Sequence, residues 1–227
     1  MMRGNAVALI SRLWHVGVLG LLSMLCAASF MVIYPAAVAD LVSMKARWQI
    51  DQWSKPGAAA PTIVEWGGVR SNLARALEHT PDDSRLHELM GWLYADQAMR
   101  MMVLMPDVSR AYMRQALHSY QQALRFRPMS GVLWASVAMT AHRLGDGRVL
   151  WTAFDKAIAY GYRVPTVQHE IVEVAFSRWS EMDPVRRERV LQMVRNAHPR
   201  VRRELEHRIK RHHMESLFPP APMDAAP

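Results

Sequence analysis

This sequence predicts an all-α protein: helices in pairs behind one membrane-crossing helix. Three observations carry that prediction. The N-terminal region holds a charge-free apolar run, the periodicity after residue 40 is helical rather than alternating, and a ladder of small and aromatic residues recurs along the chain.

The apolar run comes first. Val16 to Tyr34 carries no charged side chain, and the uncharged stretch continues to Asp40. About 20 apolar residues span a bilayer as a helix. Arg3 and Arg12 precede the run, and Trp14 and Tyr34 stand near its ends, where interfacial aromatics are favoured. Residues 1–39 are therefore expected to be a flank and a transmembrane signal anchor, with membrane contact over 16–39. A cleaved signal peptide is the alternative, because Ala37-Val38-Ala39 follows the helix-breaking Pro35. The short flank and large C-terminal part predict a single-pass protein of the bacterial inner membrane with a periplasmic domain.

Composition bounds the rest. The 227 residues are 51% hydrophobic with a net charge of +8, which excludes a disordered chain and permits an anionic partner. The one cysteine, Cys26, lies inside the apolar run, so the remainder can form neither a disulfide nor a cysteine zinc site.

From residue 40 the chain reads as helices: 40–54, 62–79, 84–104, 107–126, 131–144, 146–160, 165–179, 183–197 and a charged 200–214. Breaks fall at Pro56–Pro61, Pro81, Pro106, Gly145 and Pro184. Residues 200–216 are expected to be a basic capping helix with internal ion pairs, and 217–227 a disordered Pro/Ala-rich tail.

The spacing repeats. Ala116, Tyr120, Ala123 and Pro128 are matched upstream by Val69, Leu73, Ala76 and Pro81, and downstream by Leu150, Phe154 and Ala157. Arg187, Leu191, Val194 and Pro199 repeat it in degraded form. Small residues let one helix approach its partner, the aromatic fills the space between pairs, and proline ends the second helix. This resembles the tetratricopeptide (TPR) repeat, a helix–turn–helix unit of about 34 residues. The resemblance covers 40–199 and implies a TPR-like α-solenoid of about three to four helix pairs. The unit 84–128 departs from it, its two helices expected to be separated by about 13 residues more than the family period allows. His87 also stands where the family prefers Trp.

Such solenoids bind partners along an inner face built from the first helices of each pair. By that resemblance Arg85, Glu88, Trp92, Met139, His142 and Arg143 are groove candidates, against the plainer reading of a solvated face. Glu88 and Ala135 replace the Lys and Asn of repeats that grip chaperone C-termini, so that partner is not expected. Met99, Met101, Met102 and Met105 could serve an adaptable surface or ordinary packing.

Catalytic signals are poor. "HEIVE" (169–173) begins like a zinc-protease helix, but Glu173 stands where the second His must be. His212 and His213 are adjacent and point apart on a helix. No nucleophile elbow or phosphate loop occurs. No enzyme activity, cofactor, metal or nucleic-acid partner is expected.

The order of anchor, "KARWQIDQW", first ladder, "LHELMGWLYADQA" and "ALRFRPMSGVLWASVAMTAHRLGD" resembles the VpsP-type family of bacterial exopolysaccharide biosynthesis. That implies a non-catalytic scaffold whose partners are envelope proteins: polysaccharide polymerase, chain-length or export components. Two alternatives stay open. One is an assembly factor for another envelope system, such as cytochrome maturation. The other is a module whose Arg-rich face contacts an anionic polysaccharide directly.

Overall fold

The computed structural model describes residues 2–218, with side chains from residue 17 onward apart from residue 32. Among the described residues every regular element is helical: nine α-helices and two 3₁₀ turns, with no strand. The expected tail beyond 218 lies outside the described residues. The chain divides into two compact units, residues 1–81 and 82–227.

The first unit holds α1 (Met2–Trp53) and α2 (Ile63–His79). The sequence predicts a break at Pro35; instead α1 runs through it. Proline removes one N–H from the helical ladder, a loss that apolar membrane helices tolerate. The described side chains from 17 to 31 are exposed, so α1 offers an apolar sleeve long enough to cross a bilayer. Its character then changes. Ala39, Ser43, Ala46 and Ile50 are buried at spacings of three and four residues, one face of a helix. That face packs on α2, whose Trp66, Val69, Leu73 and Ala76 are buried with the same spacing. Thr62 and Glu65 form a reciprocal capping box that fixes where α2 starts.

The second unit contains α3 (Ser84–Met101), α4 (Pro106–Phe126), α5 (Gly131–Leu144), α6 (Gly147–Gly161), α7 (Pro165–Ser177), α8 (Pro184–Arg195) and α9 (Pro199–Arg211). Consecutive helices pair, α3 with α4 and α5 with α6, and α5 also touches α7. Starts are written in side chains: Asp83, Ser130, Asp146 and Asp183 each accept from a first-turn amide. Gly145, at φ 75°, turns the end of α5 in the left-handed region. Ser84, just inside α3, donates to the Ala123 carbonyl at 3.0 Å and ties α3 to α4.

The ladder is core. Ala116, Tyr120, Ala123, Leu150, Phe154 and Ala157 are all buried. Gly91 on α3 receives the Tyr120 ring so closely that a Cβ there would lie 2.6 Å from it. Burying such rings supplies most of the driving force, roughly 25 cal/mol per Å² of apolar surface. The long unit 84–128 places its additional residues mainly in two longer helices, because α3 ends at Met101 and α4 begins at Pro106.

The C-terminal end departs from expectation in two ways. Helix α9 keeps one internal ion pair, Arg200–Glu204 at 3.8 Å, while Glu204, Arg208 and Arg211, with His212 at its C-cap, reach across to α7. Its Val201, Leu205 and Ile209 are buried, so it is an integral layer with a polar outside. Phe218 packs its ring 6.2 Å from that of Phe176, although the sequence placed it in the tail.

Candidate functional site

A groove of about 460 Å³ opens in the second unit. Each wall follows from helical spacing. Trp92, Ala95, Asp96 and Met99 form one stripe of α3, and Ser136, Met139, Thr140 and Arg143 form the matching stripe of α5. His169, Glu170 and Glu173 come from α7, Arg208 and Arg211 from α9, and Tyr120 of α4 closes the floor.

Of the six groove candidates, Trp92, Met139 and Arg143 line this space. Glu88 faces elsewhere and pairs with Arg127 at 2.8 Å. His142 accepts from Arg178 Nε at Nδ1 over 3.2 Å, and burial followed by the Arg178 charge lowers its proton affinity. Arg85 is exposed outside the groove lining.

Glu170 dominates the electrostatics. Burial pushes its carboxyl up to about 7, while Arg143 and the Ser136 hydroxyl pull in the opposite direction. Its Oε2 is shut off from solvent and has no hydrogen-bond partner. A carboxyl raised this far holds a proton more readily than an exposed one, and in that form it can donate as well as accept a hydrogen bond. Beside it, Tyr120 is driven toward its neutral form by burial and then by Glu170.

Arg143 pairs with no carboxylate at salt-bridge distance among the described residues; it acts on Glu170 at longer range. Arg208 is partly satisfied. Its Nε lies 3.4 Å from Glu173 but makes no hydrogen bond, and its terminal nitrogen donates to His169 Nδ1 at 3.0 Å. A guanidinium can only donate. His169 therefore carries its proton on Nε2, which donates to Glu204 at 2.9 Å. Glu173 also accepts from His212 at 3.1 Å.

Sequence reading dismissed 169–173 as a failed zinc helix and so missed His169, Glu170 and Glu173. A usable signal was present: Glu170 sits in a stretch where Val167, Gln168, Ile171 and Val172 are all buried. A carboxyl there must either find a partner or take up a proton. Among the described residues no three His, Cys, Asp or Glu side chains gather as a metal-binding group. The groove thus combines an aromatic wall, two methionines, a guanidinium with no carboxylate at salt-bridge distance and two unsatisfied polar atoms. Such a lining offers apolar contact and hydrogen-bonding groups side by side.

Compared with known proteins, the chain matches no protein-family model and no curated sequence.

Proposed function

We propose that this protein is a non-catalytic, membrane-anchored adaptor. Helix α1 holds it in the inner membrane, and the groove of its periplasmic TPR-like domain grips a segment of another envelope protein. The observation that carries this reading is the pair of unsatisfied atoms, Glu170 Oε2 and Arg208 Nε, at a single groove. Unpaired buried polar atoms are rare and destabilising; both lie closed to solvent beneath the groove, so a partner's backbone or side chain would complete them only as these side chains turn outward. The resemblance drawn from the sequence assigns the client to exopolysaccharide synthesis or export: a polymerase, chain-length or export component.

A second reading is favoured by Arg143 and by the partly satisfied Arg208 and Arg211 on the same groove. These cations suit an acidic sugar polymer, whose rings would rest on Trp92. Salt-sensitive binding of isolated polymer to the purified protein separates this from a pure protein adaptor.

The test is a complemented deletion in the native host, with surface and secreted polysaccharide quantified. Loss of polymer, restored by wild type but not by a normally expressed Trp92→Ala/Arg143→Ala variant, supports the adaptor. Unchanged polymer under inducing conditions overturns the exopolysaccharide assignment. Full rescue by the groove variant overturns the groove.

A further inference from the structure

Between α3 and α4 the chain makes a short turn in an unusual composition. Met102, Val103, Leu104 and Met105 follow one another at 50, 86, 79 and 53% exposure, and Val108 is exposed just inside α4. Turns are ordinarily built from Gly, Pro, Asn, Asp and Ser. A run of four large apolar side chains in water opposes the hydrophobic effect, and such a patch marks a contact.

We propose that this turn is a membrane-contacting tip, which enters the headgroup and upper acyl region of an anionic bilayer. The proposal rests on the reading of α1 as a membrane span. A chain that crosses a bilayer holds its other unit at high effective concentration beside that same surface. Charge agrees: Arg110 and Arg114 stand exposed on α4 behind the tip against Asp107, whereas Arg100 is held by Asp96 at 2.7 Å. Arginines behind an apolar tip can extend to phosphate while their stems stay in the interface.

The backbone is paired at the two ends of the turn, while the Val103 and Leu104 N–H groups at its apex find no backbone acceptor among the described residues and keep to the hydrated headgroup depth. Met102 N–H donates to the Met99 carbonyl at 3.4 Å, Met105 N–H to that of Met101 at 2.8 Å, and Pro106 has no N–H to satisfy. High exposure at the apex also suits a deformable partner, which needs no complementary cavity. Methionine, with its flexible thioether, adapts to such an environment.

The test uses the full chain carrying Cys26→Ser, which removes its one native cysteine. A cysteine is placed at the tip by Val103→Cys, or at a control site on α6 by Ala159→Cys, and labelled with an environment-sensitive fluorophore. The protein is reconstituted into phosphatidylethanolamine–phosphatidylglycerol vesicles. The expected result at 103 is a blue-shifted emission, loss of iodide quenching and strong quenching by acyl-chain nitroxide lipids. The control at 159 shows the reverse. Iodide quenching at 103 equal to that at 159 overturns the proposal. Shielding from both quenchers also overturns it, because a protein surface such as a second copy then covers the tip. Carbonate extraction of the same vesicles isolates the underlying premise: a chain that washes off refutes α1 as a span, and the tip assignment falls with it.

Discussion

Gly131 and Gly161 touch through their backbones. A Cβ on Gly131 would lie 2.6 Å from both the Cα and the N of Gly161, a separation that real side chains do not adopt. The start of α5 and the end of α6 are therefore as close as two helices can come, and the absence of two side chains makes it possible.

Gly131→Ala is expected to destabilise the protein by about 1–3 kcal/mol, because backbone and not a flexible tip must yield. Gly68→Ala in α2 meets nothing within 4 Å and should stabilise by about 0.5–1 kcal/mol through helix propensity. Thermal melts followed by circular dichroism, in one detergent, would show the two shifting in opposite directions. Equal shifts would refute the close approach.

Glu170 gives a pH signature. Its folded pKa of about 7 exceeds the ordinary value of 4.5, so the folded state holds the proton more tightly. Stability from this group is complete below about pH 4.5 and is lost as pH rises through about 7, on the order of 3 kcal/mol in all. Glu170→Gln should leave the melting temperature near pH 5 little changed and raise it at pH 8. A variant that tracks wild type at both pH values would show that the carboxyl is not held in this way.

Helix α9 poses a choice between an apolar seam and an ionic one. Leu205 is fully buried, and Leu205→Ala should cost about 2–5 kcal/mol. Glu173→Gln weakens contacts to Arg208, Arg211 and His212, which are partly solvated; a loss within about 1 kcal/mol is expected. Limited proteolysis after residue 198 should speed up for the first variant and barely change for the second. The reverse order would make the ion pairs the principal attachment.

The N-terminal helix yields a prediction about processing. Ala39 is buried in the face that packs on α2, and α1 is continuous on both sides of it. Retention of the anchor is expected, so peptides N-terminal to Asp40 should be recovered from the protein in membranes by mass spectrometry. Edman sequencing that begins at Asp40 would establish cleavage instead.

Much of the fold could be read from residue spacing alone. The ladder of Ala116, Tyr120 and Ala123 is buried because close helix packing leaves few other choices, and a three-four rhythm records that directly. Its degraded copy shows where the method ends. Arg187 occupies a ladder position, yet it is only half-buried and donates through Nε to the Trp179 carbonyl at 3.1 Å. Pro35 was misread because its local penalty is small against a long apolar helix.

The groove was half legible. Stripes on α3 and α5 have a period, so Trp92, Met139 and Arg143 could be named. His142 is one residue from Arg143, but that step turns it toward Arg178. Glu170, Arg208 and Tyr120 meet only through the stacking of α7, α9 and α4, a tertiary fact that no local pattern encodes.

Helices that stack layer upon layer have no inherent last layer; any exposed apolar flank can accept another, including one from a neighbouring molecule. Helix α9 turns Arg202, Arg203, Glu206 and Lys210 outward, all exposed. Covering that flank would strip water from ionised groups without offering them partners. The molecule therefore carries its own terminus, and growth into a head-to-tail fibre is blocked at this end. The number of helical layers is thereby set by the chain and not by its concentration.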